Sequence, residues 1–201
     1  MFDVVLFDFD GVIRHFQTSR VPAIEEAAGL PAGSIRAAAF ADDLLIQATT
    51  GVITDEVWRE QIAARLAGAY PGSAAAEAVR EWSASIGTID EAMLEIVRAC
   101  RARHKIGLIT NATSRLPGDM DVLGVSGEFD LVVNSSVVGA VKPDRRIFDH
   151  AIHELGSTHE RAVFIDDTPG HVEAAVGYSL TGFVHESVQS TQHRLVELGI
   201  L

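Results

Sequence analysis

The chain has 201 residues, a length that fits one domain or one domain carrying an inserted segment. Hydrophobic residues make up 47% of it and charged residues 22%, which excludes a mostly disordered chain. The net charge of −12 disfavours nucleic acid and anionic membrane as partners, and a single cysteine excludes an internal disulfide. Because we find neither a membrane-spanning apolar run nor a recognisable signal sequence, we expect a cytoplasmic protein.

The first predicted element is a buried strand. Residues 3–10 form an apolar run rich in Val and Phe that stops at Gly11, which is typical of a strand inside a parallel sheet. Residues 14–86 are then dominated by Ala, Glu, Leu and Ile and are interrupted by turn-forming clusters. This segment predicts three or four helices, with Pro22 in the first turn of one and Thr54 at the start of another.

From residue 88 onward, helical and strand patterns alternate. Thr88 and Glu91 match a capping box at the start of a helix. Further strands are predicted at 105–110, 130–134, 162–166 and 181–185, with a helix over 143–155. The alternation predicts an α/β fold with a doubly wound, Rossmann-like parallel sheet. Residues 1–13 and 87–201 would form this core, and 14–86 would be inserted as a small α-helical bundle.

Polar and charged side chains stand at the carboxyl ends of these predicted strands. Such ends meet at one edge of a parallel sheet, where ligands bind, so we expect the side chains to share one cleft. The candidate site residues are Asp8, Asp10, Thr110, Asn111, Lys142, Asp166 and Asp167.

Several carboxylates around one lysine need additional positive charge. Two like charges about 4 Å apart repel by about 4 kcal/mol at an effective dielectric constant of 20, so the aspartates would not cluster without a cation. Mg2+ prefers oxygen ligands and commonly binds one or two carboxylates together with a substrate phosphate. Mg2+ and Lys142 would together attract an anionic substrate to a chain that is otherwise acidic.

The same residues suit phosphoryl transfer. An aspartate at position 8 could attack phosphorus. Asp10, two residues later on the same side of an extended strand, could protonate the leaving oxygen and then accept a proton from water. The Thr110 hydroxyl and the backbone N–H after it could bind phosphoryl oxygens.

Four segments resemble, in order and spacing, the signature motifs of the haloacid dehalogenase (HAD) superfamily: DFDGV at 8–12, ITN at 109–111, VKPD at 141–144 and FIDD at 164–167. The inserted helices resemble the small cap of its phosphatase-like branch. The resemblance implies that Asp8 is the nucleophile, Asp10 the general acid and base, and Lys142 the charge stabiliser. It also implies that Thr110 and Asn111 contact the phosphate.

The resemblance further implies a Mg2+ site. The Asp8 carboxylate, the Asp10 backbone carbonyl and Asp167 would hold the ion, with Asp166 binding through water or from behind the direct ligands. One position departs from the family pattern, because relatives often carry Asn where this chain has His171. Arg14 and His15 at the entry to the insertion, and Arg115 after the second motif, could also reach a substrate.

The sequence therefore predicts a Mg2+-dependent phosphatase that acts through an aspartyl-phosphate on a small phosphorylated metabolite, with a sugar phosphate favoured. A phosphomutase of the β-phosphoglucomutase type is an alternative that depends on the cap. A 2-haloacid dehalogenase needs neither magnesium nor an acid at position 10, and a receiver-type signalling module usually lacks such an insertion. A non-catalytic binding protein is the remaining alternative, and the oligomeric state is open.

Overall fold

A five-stranded parallel sheet lies at the centre of the computed structural model, which describes residues 1–201. The strands of the chain are β1 (Val4–Phe7), β2 (Arg14–His15), β3 (Thr88–Ile89), β4 (Lys105–Thr110), β5 (Leu131–Asn134), β6 (Ala162–Asp166) and β7 (Thr181–Val184). The sheet has the order β5-β4-β1-β6-β7, and β2 and β3 form a separate antiparallel ribbon. This order confirms the predicted doubly wound sheet, and β4 and β6 have the predicted bounds.

Eleven α-helices accompany the strands. They are α1 (Val21–Ala27), α2 (Ser34–Ala39), α3 (Asp42–Thr49), α4 (Asp55–Ala69), α5 (Ala75–Ser83), α6 (Glu91–Arg101), α7 (Leu116–Leu123), α8 (Ser135–Val138), α9 (Arg145–Glu154), α10 (Pro169–Gly177) and α11 (Val188–Glu197). None of them combines the length and the apolar character that a bilayer-crossing helix needs.

The central strand β1 is buried on both faces of the sheet. Its side chains alternate, so Val5 and Phe7 belong to an apolar cluster on one face, while Val4 and Leu6 belong to a second cluster on the other face. All four side chains are fully buried. Helices α6, α7 and α11 cover the first face, and α9 and α10 cover the second. A sheet enclosed in this way is typical of parallel α/β folds.

The first strand ends earlier than the sequence pattern predicts. β1 stops at Phe7, and the chain then turns because the Phe9 carbonyl accepts hydrogen bonds from the backbone N–H groups of Ile13 and Arg14, both at 2.8 Å. The prediction that the strand continues to Asp10 was therefore wrong. Asp10 lies in this turn, not on an extended strand.

The start of α6 also differs from its prediction. Thr88 is not a helix cap, because it pairs with His15 in the ribbon. Asp90 caps α6 instead, with its carboxylate accepting hydrogen bonds from the N–H groups of Ala92 and Met93. Aspartate is as favourable at this position as serine or threonine, so the apparent capping box at Thr88 was misleading.

The inserted segment contains five helices, not the three or four predicted. The missed boundary separates α2 from α3 at Ala41, which adopts an extended backbone without Gly or Pro nearby. Asp42 and Asp43 in the first turn of α3 favour a new helix start, since negative charge is stabilised there. The predictions for Pro22 and Thr54 are confirmed, because Pro22 lies in the first turn of α1 and Thr54 caps α4.

Helices α1 to α5 form an apolar cluster of their own. Its 14 buried residues all lie between Ile24 and Val79, and Trp58 contacts Trp82 edge to face at 5.8 Å between ring centroids. The chain enters this helical segment at β2 and leaves it at β3, where Arg14 pairs with Ile89. The two connections to the sheet therefore run side by side.

Candidate active site

Residues from the end of β6, the position after β1 and the segment before α9 meet at the carboxyl edge of the sheet. The Lys142 ammonium lies 2.7 Å from Asp8 Oδ1 and 2.6 Å from Asp166 Oδ2. The exposed fractions of these three side chains are 1%, 9% and 0%, respectively. Asp8 follows β1 directly, and its N–H donates to the Ile165 carbonyl at 2.8 Å, which fixes it beside β6. One buried lysine thus joins two predicted site aspartates that are distant in sequence.

The two buried carboxylates differ in their affinity for a proton. Burial is the largest influence on Asp8 and raises its pKa to about 7, even though Lys142 attracts the charged form. Burial would also raise the pKa of Asp166, but the hydrogen bond from His171 and the charge of Lys142 outweigh it and lower that pKa to about 2. Asp166 is therefore the firm partner of Lys142, and Asp8 is the carboxylate with incompletely compensated charge.

Asp166 is held by groups from the loop that follows β6. The N–H of Thr168 donates to Asp166 Oδ1 at 2.8 Å, and His171 Nδ1 lies 3.1 Å from the same oxygen. His171 occupies the position at which the sequence departs from the family pattern. The structure thus gives that histidine a defined contact, which the sequence did not indicate.

Asp167 faces the first motif across a short gap. Gly11 has a φ of +92°, and a Cβ at this position would lie 2.1 Å from Asp167 Oδ2, so the present position of Asp167 depends on glycine here. Carboxylate oxygens of Asp8, Asp166 and Asp167 all lie within 4.8 Å of one another. With Lys142, these groups carry a formal charge of −2 when all are ionised. An oxygen-rich, doubly negative group of this kind fits a divalent hard cation.

Thr110 is the last residue of β4 and Asn111 follows it, beside these residues. Thr110 is almost completely buried. The Asn111 side-chain amide donates to the Lys142 carbonyl at 3.0 Å, and its oxygen accepts the Lys142 N–H at 2.7 Å. Asn111 was predicted to contact a phosphate, but its side chain is engaged with the backbone of Lys142. Its side chain therefore fixes the segment that carries the lysine.

The Asp10 carboxylate lies outside the acidic group and is bound by Arg14. Arg14 Nε donates to Asp10 Oδ1 at 2.5 Å and Nη2 donates to Oδ2 at 2.9 Å. Arg14 was predicted to reach a substrate, whereas its guanidinium is buried and also donates to Asp119 at 3.1 Å. The sequence missed this contact, because a spacing of four residues brings side chains together in a helix and these residues are not helical.

Two other residues near the insertion have defined neighbours. Arg115 contacts Asp119 Oδ1 at 3.0–3.1 Å and donates to the Ser83 carbonyl at 2.8 Å, so its guanidinium is engaged within the chain. The partly exposed His15 lies 3.8 Å from Asp90. Of the residues predicted to reach a substrate from the insertion, His15 is the most accessible.

The inserted helices contact the loop after Thr110. Asp55 at the start of α4 accepts a hydrogen bond from Thr113 Oγ1 at 2.7 Å, and its N–H donates to Ser114 Oγ at 2.9 Å. Gly51 also lies against the core, since a Cβ there would come within 2.0 Å of the Ser136 carbonyl. The helical segment is thus packed directly beside the candidate site.

Comparison with known protein families agrees with the resemblance that the four motifs indicate. The model of the haloacid dehalogenase-like hydrolases matches residues 2–177. The chain belongs to this family. Its most similar solved structures include a HAD family enzyme of Bacteroides thetaiotaomicron in complex with magnesium and inorganic phosphate, with a TM-score of 0.77 and 18% identity over 92% of this chain and 95% of that one. An L-2-haloacid dehalogenase of Xanthobacter autotrophicus gives a TM-score of 0.64 at 18% identity, over all of this chain and 85% of that one.

Two curated relatives match shorter segments. Pyrimidine 5'-nucleotidase YjjG of Escherichia coli K12 is 36% identical over 77 residues, which are 37% of this chain and 34% of that protein. The human haloacid dehalogenase-like hydrolase domain-containing protein 3 is 39% identical over 59 residues, which are 29% of this chain and 24% of that protein. The matches thus span about a third of one relative and about a quarter of the other. The similar proteins are enzymes, and the family and fold of this chain agree with the expectation from its motifs.

Proposed function

We propose that this chain is a Mg2+-dependent phosphatase that hydrolyses a small phosphomonoester through an aspartyl-phosphate on Asp8. The observation that carries the proposal is the buried contact of Lys142 with Asp8 and Asp166, next to the exposed carboxylate of Asp167. A carboxylate with an adjacent ammonium and an oxygen-rich cation site has the parts that phosphoryl transfer to an aspartate requires.

The metal would be held by the carboxylates of Asp8 and Asp167 and the backbone carbonyl of Asp10. Asp166 already accepts from Lys142, Thr168 N–H and His171, so we assign it an indirect role. When bound, Mg2+ would offset the negative charge of the transferring phosphoryl group.

Asp8 forms the covalent intermediate in the first half of the reaction. One of its carboxylate oxygens attacks phosphorus, the bond from phosphorus to the leaving oxygen breaks, and Asp10 gives that oxygen a proton. The positive charge of Lys142 remains next to Asp8 and offsets negative charge there. The Thr110 hydroxyl and the Asn111 backbone N–H bind the phosphoryl oxygens.

Water completes the second half. Its oxygen attacks phosphorus while Asp10 takes a proton from it, and the bond to Asp8 breaks to release phosphate. In the structure both oxygens of Asp10 are bound by Arg14, so Asp10 is ordered where the first motif turns towards the insertion.

We propose a sugar phosphate as the substrate class, with a nucleoside monophosphate as the comparison because YjjG is a pyrimidine 5'-nucleotidase. Transfer to a sugar hydroxyl would make the protein a phosphomutase. Dehalogenation of a 2-haloacid, the activity of a structurally similar enzyme, needs neither an acid at position 10 nor magnesium.

The test is phosphate release from sugar phosphates, nucleotides and p-nitrophenyl phosphate, with Mg2+ and with EDTA. We expect release that requires Mg2+ and is lost in Asp8→Asn. Asp149→Asn, on the exposed side of α9, is the matched control and should retain the wild-type rate. Release at the wild-type rate by Asp8→Asn, or no release from any compound by the folded protein, would overturn the proposal.

A further inference from the structure

We propose that Arg14 is a positioning residue that holds the Asp10 carboxylate in place for proton transfer to the leaving group. The inference rests on the proposed function, because it assumes that Asp10 is the general acid. It assigns to Arg14, which follows the first motif, the task of orienting the Asp10 side chain.

The contact has the geometry of a fixed pair. Arg14 donates through Nε to one oxygen of Asp10 and through Nη2 to the other, at 2.5 and 2.9 Å. Two parallel hydrogen bonds from a planar guanidinium fix both the position and the plane of a carboxylate. The Asp10 side chain is 38% exposed and lies in a turn, so this pair restricts rotation that the surroundings would otherwise allow.

Arg14 is itself immobilised, with its side chain only 5% exposed. Its guanidinium carbon lies 4.6 Å from the ring centre of Phe9 and 4.7 Å from that of Phe16. Nη1 donates to Asp119 Oδ2 at 3.1 Å, and Arg115 holds the other oxygen of Asp119. Aromatic faces and a second carboxylate thus hold the guanidinium from several sides.

The charges explain why this arginine is not a substrate-binding group. Arg14 and Arg115 carry two positive charges, and Asp10 and Asp119 carry two negative charges when both are ionised, so the network is neutral without a ligand and gains one positive charge when Asp10 is protonated. The donors of Arg14 are engaged by Asp10, by Asp119 and, at 3.5 Å, by the Ile86 carbonyl. A substrate anion would have to break these contacts, whereas holding Asp10 keeps them.

The network also contacts the return connection from the inserted helices. Arg115 donates to the Ser83 carbonyl at 2.8 Å, and a Cβ at Gly87 would lie 2.8 Å from Arg14 Cγ. Gly87 has a φ of +80°, so this close approach depends on glycine. The place at which Asp10 is held is therefore defined jointly by the core and by the end of the insertion.

The experiment compares two leaving groups. The leaving oxygen of an alkyl phosphate needs a proton, whereas p-nitrophenyl phosphate releases p-nitrophenolate, which is stable without one. General acid catalysis contributes about 10²- to 10⁴-fold, so we expect Arg14→Gln to lower kcat on the alkyl phosphate about 10- to 100-fold more than on the nitrophenyl ester. Arg14→Lys should recover part of this loss, and Arg14→Gln combined with Asp10→Asn should be no slower than Asp10→Asn alone.

Arg115→Gln is the matched control. It removes a partly buried contact to the same Asp119 without touching Asp10, so any loss should be equal for the two substrates. If Arg14→Gln does not fold, Asp119→Asn takes its place, because it loosens Arg14 and leaves Asp10 intact.

The outcomes separate the inference from the proposed function. Equal losses on both substrates in Arg14→Gln, or in its substitute Asp119→Asn, together with a selective loss in Asp10→Asn, would overturn the role of Arg14 alone. Equal losses in Asp10→Asn would overturn the assignment of Asp10 as the acid, and the inference with it.

Discussion

Replacing Gly11 by Ala tests the close approach between the first and fourth motifs. The added Cβ would lie 2.1 Å from Asp167 Oδ2, which would have to retreat by about 1.3 Å to reach an ordinary contact of 3.4 Å. Asp167 is exposed, so its side chain has room to move. The backbone cost of a non-glycine residue at positive φ is about 1–2 kcal/mol. For a chain of this length, that cost lowers Tm by roughly 2–8 °C.

The effect on metal binding should exceed the effect on folding. Mg2+ requires near-ideal octahedral geometry, with oxygens at about 2.0–2.1 Å, so a displaced Asp167 no longer fits as a ligand. Changes around metal ligands cost about 10- to 100-fold in affinity, and we expect Gly11→Ala to weaken Mg2+ binding by at least the lower figure. Titration calorimetry measures the affinity, and thermal melts without metal measure Tm.

Gly124→Ala is the matched control for this substitution. Gly124 ends α7 with a φ of +73°, and a Cβ there would meet nothing within 4 Å. It should lower Tm by a similar amount and leave Mg2+ affinity unchanged. If the two variants bound Mg2+ equally well, the argument from the approach of Asp167 to Gly11 would be refuted.

Three further predictions concern the buried charges. Asp8→Asn should abolish phosphate release without lowering the metal-free Tm, because it removes a carboxylate whose burial is incompletely compensated; a Tm several degrees lower would contradict this account. Lys142→Met should cost about 3–5 kcal/mol in urea unfolding near pH 8, since it leaves buried carboxylates without their cation, and a cost below about 1 kcal/mol would contradict the buried contact. Because burial raises the pKa of Asp8 to about 7, protons compete with Mg2+ at lower pH. Affinity measured by calorimetry should therefore fall by up to about tenfold per pH unit below that value, and an affinity independent of pH in this range would argue against Asp8 as a ligand.

The sequence predicted those parts of the fold in which local pattern and tertiary structure agree. The apolar residues of β4 and β6 are uninterrupted except by Gly107, and the polar residues Lys105, Thr110 and Asp166 mark strand ends. Lys142 could be assigned to the site because its motif lies, in the expected order, between the second and the fourth motifs. Its contacts with Asp8 and Asp166 depend on the order of the strands in the sheet, and the residue pattern of an individual strand does not determine that order.

The predictions for Asp10 and Thr88 were wrong because the local sequence pattern and the tertiary structure disagree at these positions. Asp10 seemed to continue a strand because its neighbours are apolar, but three backbone N–H groups converge on the Phe9 carbonyl and turn the chain. Thr88 had the residue type of a helix cap, yet pairing with His15 placed it in a ribbon. Both outcomes depend on hydrogen bonds that local residue type does not specify.

The position of β1 in the middle of the sheet has a consequence for synthesis on the ribosome. Its two neighbours are β4, where Val4 pairs with Lys105, and β6, where it pairs with Ala162. At about 5–20 residues per second, the apolar strand emerges at least several seconds before either partner exists. The inserted helices, whose apolar cluster lies between Ile24 and Val79, can pack during that interval. The apolar strand that leads into Asp8 therefore has no strand partner until residues 105–110 have been made.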